Sequence, residues 1–182
     1  MKTEDFFYDL PAEFIAQTPV EPRDHSRLMV LERETGRISH HRFFEIGQFL
    51  RPGDLLVVNE TRVFPARFYG HKLPGGGKVE ILLLKKLDDL TWECLVEGSG
   101  MKPGRQIQIT EGPVAEVVED LGESRRLVRF TEPIEGAFDR AGHVPLPPYI
   151  HAYQGDPERY QTIFNKTPGS AAAPTAGLHF TP

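Results

Sequence analysis

Alternation between apolar and polar positions is the clearest pattern in the middle of the chain. Trp92, Cys94 and Val96 alternate with the side chains between them in TWECLVEG, and Ile107 and Ile109 alternate in RQIQIT. A period of two places every second side chain on one face of a β-strand, so both segments predict strands with one buried face. Five or so short strands of this kind, separated by turns, predict a small, closed or nearly closed antiparallel β-barrel.

The predicted barrel occupies residues 68–145 and interrupts a second domain. Patterns of helices and strands precede it, and a helix followed by a loop comes after it. The simplest arrangement is an insertion, in which residues 1–67 and 146–182 belong to one discontinuous α/β domain. The predicted fold class is therefore mixed α/β.

The first fifty residues predict a β-hairpin followed by a short helix. A strand at Leu28–Leu31 and a return strand that includes Ile38 flank a turn at residues 34–36. Apolar residues between 43 and 50 then recur at helical spacing, and the sequence RPGD ends that helix with a turn.

Two arginines, Arg23 and Arg27, stand next to the predicted start of the hairpin. A guanidinium group presents a fork of N–H donors that suits phosphate and carboxylate groups, so both residues are candidates for binding an anion. Alternatively, Asp24 pairs with one of them and caps the loop. The sequence leaves both interpretations open.

A continuous apolar run, Leu55–Val58, follows the predicted helix. Such a run is typical of a strand that is covered on both faces. Asn59, Thr61 and Arg62 come directly after it, at the strand end where α/β folds place ligand contacts. Alternatively, Asn59 and Thr61 only satisfy the backbone of a turn.

The tail begins with a proline-rich segment and a short helix. Three prolines, among them Pro148, restrict φ and remove N–H donors, so residues 144–150 are predicted to run extended. Asp156 followed by Pro157 is typical of a helix N-cap and first helical position, and predicts a short helix that continues through Phe164.

A run of small residues, GSAAAPTAGLHF, comes near the end of the tail. Side chains this small let a ligand approach closely, and they leave main-chain N–H groups open to bind an anionic or polar group. Ser170, Thr175, Gly177 and His179 are the candidate contacts in this run. Alternatively, the run is a tight loop that leads into a buried strand or helix.

Composition bounds the class of protein. The chain has 182 residues, of which 39% are hydrophobic and 26% charged, as is typical of a soluble globular protein. No apolar run approaches the roughly 20 residues that span a membrane, and the first residues lack the pattern of a signal peptide. The single cysteine, Cys94, agrees with a reducing compartment, and its position on the Trp92 face favours a core residue over a nucleophile. We therefore expect a cytoplasmic protein.

Bulk charge does not indicate a nucleic-acid-binding protein, because the net charge is −5. RNA contacts would need a local basic patch, since the binding energy comes from phosphates neutralised at the interface. The sequence also has no Walker A loop, no GxGxxG after a strand, no HxxxH or CxxC metal pattern and no serine-hydrolase elbow. The residues alone therefore indicate a two-part α/β protein with a loop-built ligand site near the tail.

Five segments of the chain resemble one family. The runs DFFYDLPAEFIAQTPVEPRDHSRLMVL, RPGDLLVVNETRVFPARF, PLPPYI, DPERYQTIF and GSAAAPTAGLHFT are similar to the S-adenosylmethionine:tRNA ribosyltransferase-isomerase family of queuosine biosynthesis. The resemblance covers nearly the whole chain, and its last run is specific. It implies a partial α/β-barrel-like domain that carries an inserted small antiparallel β-barrel.

The resemblance also implies a reaction. Members of the family transfer and rearrange the ribosyl part of S-adenosylmethionine onto the 7-aminomethyl-7-deazaguanine of certain tRNA anticodons, which gives epoxyqueuosine and releases adenine and methionine. The implied partners are the tRNA anticodon arm and S-adenosylmethionine as substrate. No metal or redox cofactor is expected, because the sulfonium group already activates the sugar. A full-length member is expected to be a monomer.

Carried onto this sequence, the resemblance suggests roles for particular residues. His179 is the candidate acid–base group, since imidazole titrates near neutral pH; alternatively, it only satisfies hydrogen bonds within the fold. The candidate substrate contacts are Asn59, Thr61, Arg62, Ser170, Thr175 and Gly177. The candidate phosphate contacts to tRNA are Arg23, Arg27 and Arg67. The rings of Tyr149, Tyr153 and Tyr160 are candidates for stacking a splayed base of the tRNA. Alternatively, they only pack within the fold.

Family members are longer than this chain and continue with a second half of the α/β domain. The 182-residue chain alone is therefore expected to have little or no transferase activity, and to expose apolar surface that favours self-association. The rival hypothesis is a noncatalytic RNA-binding module, in which a basic hairpin of the barrel with Arg125, Arg126 and Arg129 binds tRNA.

Overall fold

The structure, a computed structural model, describes residues 1–147, 149–150, 153 and 155–182. The strands of this described part are β1 Arg27–Leu31, β2 Ile38–Arg42, β3 Thr61–Val63, β4 Arg67–Leu73, β5 Lys78–Lys86, β6 Thr91–Glu97, β7 Gln106–Ile109, β8 Val114–Asp120, β9 Arg125–Phe130 and β10 Thr167–Ser170. A four-residue α-helix, α1, spans Phe138–Ala141. Short 3₁₀ helices span Thr3–Phe6, Ala12–Phe14, Arg23–His25, Phe43–Phe49, Ile134–Ala137, Pro157–Tyr160 and Thr175–His179. Within the ranges given above, none of the helices has the length and apolar character needed to cross a membrane.

The six central strands close into an antiparallel barrel in the order β4–β5–β6–β9–β8–β7. Strand β4 pairs with both β5 and β7, which closes the circle. The predicted mixed α/β fold with a small antiparallel barrel is thereby confirmed. The barrel strands run from Arg67 to Phe130. The limits of the domains at residues 68 and 145 stay a prediction.

Alternate side chains of these strands form the barrel core. Phe68, Ile81 and Phe130 are almost completely buried there, because each lies at an inward position of its strand. Cys94 lies in the same core, and burial raises the pKa of its thiol, with a smaller contribution from Glu93. The interpretation of Cys94 as a small packing residue is confirmed.

The chain segments on either side of the barrel meet in a two-stranded parallel sheet. Strand β3, just before the barrel, pairs with β10 from the tail, with Thr167 opposite Thr61 and Pro168 opposite Arg62. The N–H of Phe64 extends this pairing by donating to Ser170 O at 3.2 Å. The pairing attaches the small-residue run of the tail to the start of the barrel.

The predicted hairpin near the N-terminus is also confirmed. Strands β1 and β2 pair antiparallel, with Arg27 opposite Arg42 at one end and Leu31 opposite Ile38 at the other. A 3₁₀ helix at Phe43–Phe49 follows directly. The hairpin thus presents its arginine-bearing end beside the start of this helix.

The predicted strand at Leu55–Val58 is wrong. These residues form no strand, and the exposed fractions are 87% for Leu55, 53% for Leu56, 83% for Val57 and 39% for Val58. A fully apolar strand needs a neighbour at its edge and a layer on each face. Within the described part of the chain, Leu55 and Val57 are largely uncovered and Leu56 and Val58 are only partly covered, so the run forms an exposed apolar surface.

We expect a charged side chain at Val57 to leave the fold intact. Val57→Asp should change the free energy of unfolding by no more than about 0.5 kcal/mol, because the side chain contacts water. The matched control is Val79→Asp, at a position that is 3% exposed, which should lower that free energy by about 3 kcal/mol or more. Urea denaturation measures both. Equal destabilisation by the two changes would contradict the exposed state of the run.

The prediction that residues 144–150 run extended is wrong for the start of this proline-rich segment. The N–H of Leu146 donates to Val144 O at 2.9 Å, which closes a tight turn around Pro145. The φ that a proline ring enforces matches the central position of an inverse γ-turn, so the same restriction that suggested an extended segment also permits this bend. Pro148 lies outside the described residues.

The helix after Asp156 begins as predicted but is shorter. The Asp156 carboxylate accepts an N–H of the first turn at 2.9 Å. The helix ends at Tyr160 and does not reach Phe164, because the backbone of Gln161 is extended. The Gln161 side chain instead bonds the backbone of the distant strand β3. Its amide accepts from Val63 N–H at 3.0 Å and donates to Val63 O at 2.9 Å.

Candidate functional site

A cavity of about 740 Å³ lies between the N-terminal segment, the β1–β2 hairpin and the tail. Four parts of the chain contribute to its wall. They are residues 16–20, residues 25–27 with Arg42, the tail residues Leu146, Pro147, Tyr149, Ile150, Tyr153, Arg159 and Tyr160, and finally Thr175, Leu178 and His179. The cavity therefore brings together residues that are far apart in sequence.

His179 enters this wall at the end of the 3₁₀ helix Thr175–His179. Its Nδ1 lies 2.9 Å from the Ser26 hydroxyl oxygen, and its ring centre lies 5.2 Å from that of Phe43. Phe43 is buried and also meets the ring of Phe180 edge-on at 4.9 Å. The imidazole is thus held on one side by an aromatic cluster and at one nitrogen by a hydroxyl group.

Three tyrosines, Tyr149, Tyr153 and Tyr160, line the cavity. The Tyr153 hydroxyl donates to Asp156 O at 3.1 Å. Burial raises the pKa of Tyr160, so its phenol stays neutral at physiological pH. Neutral phenol rings in a wall offer faces to a cation or to a flat heterocycle.

The charged residues of the wall are basic. Arg27, Arg42 and Arg159 line the cavity, and none of its described lining residues is an aspartate or glutamate. Arg159 forms an ion pair with Glu21, which lies outside this wall. Arg42 Nη1 donates to His25 O at 3.0 Å. Neither Arg27 nor Arg42 has an ion pair with any described residue.

Direct cross-strand pairing places these two arginines opposite each other. Like charges in such a pair repel, so the arrangement favours an anion that bridges them. The hairpin register could have revealed Arg42 from the sequence, because Arg27 directly precedes the predicted strand Leu28–Leu31 and the register of a hairpin fixes which residue lies opposite it. The contact between Ser26 and His179 had no such signal, since 153 positions separate them.

Of the residues suggested by the sequence, Thr175, His179 and Arg27 lie together in this cavity. Asn59, Thr61 and Arg62 are not among its lining residues, although the β3–β10 pairing holds them beside the tail. The placement of these three as substrate contacts stays a prediction.

Local contacts already occupy the side chains of Asn59, Thr61 and Arg62. Asn59 Oδ1 accepts from the Thr61 N–H at 2.8 Å and from the Thr61 hydroxyl at 2.6 Å, as the turn interpretation expected. Arg62 donates to Asn165 Oδ1 at 2.6 Å and forms an ion pair with Glu158. Any ligand at this edge would have to displace or share these bonds.

Ser170 and Gly177 serve the backbone of the tail. The Ser170 hydroxyl donates to Ala172 O at 2.6 Å. A Cβ on Gly177 would lie 2.9 Å from Thr162 Cγ2, so the glycine allows close packing between two parts of the tail. Neither residue is among those that line the cavity.

The other two arginines assigned to tRNA lie elsewhere. Arg23 lines a smaller neighbouring cavity together with Arg159, and donates to Gln161 O at 3.0 Å. Burial, and then the charge of Arg159, lower the pKa of Arg23. Arg67 belongs to the barrel, where its Nε lies 2.8 Å from Glu80. Asp24 pairs with His25 and not with an arginine.

Fold and cavity together define a mixed α/β protein with a closed barrel and a candidate ligand site, whose wall offers arginines, tyrosines and two histidines. The sequence profile described as "Queuosine biosynthesis protein" matches residues 3–182. The chain belongs to this queuosine biosynthesis protein family.

Relatives in the family carry a specific name. The protein named S-adenosylmethionine:tRNA ribosyltransferase-isomerase from Acetivibrio thermocellus is 54% identical over 185 aligned residues, and that from Clostridioides difficile is 51% identical over 185. Each match covers 100% of this chain and 54% of the relative. The chain thus spans about half the length of the curated relatives it matches. A solved structure of S-adenosylmethionine tRNA ribosyltransferase from Thermotoga maritima is 38% identical, with a TM-score of 0.40 over 98% of this chain and 51% of that one.

Proposed function

We propose that this chain forms the first half of an S-adenosylmethionine:tRNA ribosyltransferase-isomerase, and that its cavity binds the reacting groups. The whole enzyme would move the ribosyl part of S-adenosylmethionine onto the 7-aminomethyl-7-deazaguanine of tRNA and rearrange it to epoxyqueuosine. Family membership and the names of the relatives support this proposal. The observation that carries it is the cavity, in which His179, three tyrosines and two arginines without an ion pair to any described residue share one wall.

The cavity chemistry suits S-adenosylmethionine. Its sulfonium group is a cation, which is attracted to the faces of aromatic rings such as Tyr149, Tyr153 and Tyr160. Adenine can stack on the same kind of surface. The described wall has no carboxylate that could pair with the cation, so aromatic contacts would have to provide its recognition.

The reaction needs a base more than it needs a cofactor. The positive sulfur acidifies the neighbouring C–H bond, and methionine leaves as a neutral thioether. His179 is the proposed acid–base group, since its imidazole lies in the wall and imidazole is the side chain that most often serves as a general acid or base. No metal or redox cofactor takes part in the reaction as proposed.

Arg27 and Arg42 would bind phosphates of the tRNA anticodon arm. The two residues are opposite each other in the β1–β2 pairing, line the same cavity and form no ion pair with a described residue, and bidentate arginine contacts suit phosphate oxygens. Arg23 and Arg67 are retained as further candidates. The proposal places the enzyme in the cytoplasm with its tRNA substrate, and treats the full-length form as a monomer.

A noncatalytic RNA-binding barrel has less support. Arg125 pairs with Glu93 at 2.5 Å, and Arg126 pairs with Asp120 at 2.8 Å and donates to Met101 O at 2.8 Å. The two arginines are therefore already neutralised by carboxylates. Phosphate binding there would break these pairs before it gained new ones.

Titration of the chain with S-adenosylmethionine tests the small-molecule site. Calorimetry should show saturable binding, and S-adenosylhomocysteine should bind roughly tenfold more weakly because it lacks the cation that aromatic rings attract. Tyr153→Leu should reduce this preference, since it removes one of the three ring faces. Equal affinity for both ligands would contradict the proposed aromatic recognition.

A salt series of tRNA binding separates the two functions. Arg27→Ala combined with Arg42→Ala should weaken tRNA binding. The double change should also reduce the slope of log K against log salt concentration by about two, because each phosphate contact contributes about one. Arg125→Ala combined with Arg126→Ala is the matched control and should change little. The reverse result would favour the RNA-binding barrel.

A further inference from the structure

Ser26 connects the hairpin to the proposed acid–base group. It follows the 3₁₀ helix Arg23–His25 and directly precedes β1. Its backbone is held on both sides, since its N–H donates to Arg23 O at 3.4 Å and its O accepts from Phe43 N–H at 2.9 Å. Its hydroxyl oxygen lies 2.9 Å from Arg23 O and 2.9 Å from His179 Nδ1.

The hydroxyl group has a single proton to share between these two neighbours. A backbone carbonyl can only accept a hydrogen bond, so the Ser26 proton must point at Arg23 O. If the proton pointed at His179 instead, two acceptor oxygens would face each other at 2.9 Å with nothing between them. The hydroxyl oxygen therefore accepts from His179, and Nδ1 carries the donated proton.

We propose that Ser26 is a positioning residue that holds neutral His179 as the Nδ1–H tautomer and leaves the lone pair of Nε2 as the basic site. The tautomer follows from the geometry alone. The use of Nε2 as a base rests on the proposed function.

This arrangement suits a base that gains and then returns a proton. When Nε2 takes a proton, both ring nitrogens become donors, and the Nδ1–H bond to Ser26 stays as it was. The hydroxyl and the carbonyl of Arg23 do not have to reorient during the transfer. A contact preorganised in this way adds no reorganisation to the proton-transfer step.

Nitrogen-15 NMR of the histidine-labelled 182-residue chain tests the tautomer directly. At a pH where the imidazole is neutral, His179 Nδ1 should show the shift of a protonated ring nitrogen, and Nε2 that of an unprotonated one. Ser26→Ala should raise the fraction of the Nε2–H tautomer, and Ser26→Thr should restore the original signals because it keeps the hydroxyl.

A second histidine provides an internal control. His41 Nε2 lies 3.0 Å from the Ser39 hydroxyl, so Ser39→Ala should alter the signals of His41 and leave those of His179 unchanged. An Nε2–H tautomer of His179 in the unmodified chain would overturn the proposal. So would signals that Ser26→Ala leaves unchanged in a folded chain.

Kinetics then separate this inference from the proposed function. In an enzyme completed with the second half of the Acetivibrio thermocellus relative, Ser26→Ala should lower kcat roughly tenfold to hundredfold with KM nearly unchanged. Ser26→Thr should recover most of that loss. If the NMR result holds while neither Ser26→Ala nor His179→Ala affects turnover, the tautomer assignment stands and the base role of His179 falls. If only His179→Ala affects turnover, the positioning role of Ser26 is overturned.

Discussion

His179→Ala is expected to lower kcat of the completed enzyme by about 10²- to 10⁴-fold, as the loss of a general acid–base group does. This corresponds to about 3–5 kcal/mol of lost transition-state stabilisation. Alanine removes the only histidine of the tail helix that reaches the cavity wall, and it leaves the tyrosines and arginines of the wall in place. Radiolabelled transfer from S-adenosylmethionine to a tRNA stem-loop measures the rate.

The design separates chemistry from binding. His40→Ala is the matched control, because His40 is exposed on β2 and is not among the cavity-lining residues. S-adenosylmethionine affinity should change little in either variant. The 182-residue chain without the second half is expected to show little or no transfer and provides the background. A normal rate for His179→Ala would remove the assignment of the base.

Phe130→Ala is expected to lower the free energy of unfolding by about 3–5 kcal/mol, because it leaves a large cavity in the barrel core. Phe130 is 1% exposed on β9, where it pairs with Ala115 of β8. A domain of ordinary stability has only about 5–15 kcal/mol in total, so the variant should unfold at much lower urea concentration. Circular dichroism during urea titration measures the shift.

An exposed phenylalanine provides the comparison for this change. Phe7 is 85% exposed, and Phe7→Ala should shift the free energy of unfolding by no more than about 0.5 kcal/mol. Similar losses in both variants would mean that the barrel core is not the main source of stability.

Most of the barrel could be predicted from local pattern. Strands β6 and β7 carry clear alternation of apolar and polar positions, and each was expected where it is found. Strand β4 has no such pattern, because Gly70, His71 and Lys72 interrupt it. Its place depends on a close approach of β7 that only glycine permits, since a Cβ on Gly70 would lie 2.4 Å from Gln108 O.

The site was predicted less completely than the barrel. Residue type alone singled out His179 and Arg27, because imidazole and guanidinium groups carry recognisable chemistry. The same reasoning grouped Asn59 and Arg62 with them, and their role as substrate contacts stays a prediction. Neither is among the residues that line the cavity, because Asn59 bonds the nearby Thr61 and Arg62 bonds Asn165. A strand such as β3 can lie beside the tail and still direct its polar groups away from the cavity.

The sequence by itself determined the barrel strands that alternate clearly, the hairpin and the N-cap of the tail helix, because alternation and capping depend on residues a few positions apart. Only the tertiary structure decided which polar groups share the cavity and which nitrogen of His179 meets Ser26. These contacts join residues 153 positions apart and depend on the direction of each side chain, which no local pattern records. The exposure of the run Leu55–Val58 could not be predicted for the same reason, since whether an apolar run is covered depends on what packs against it.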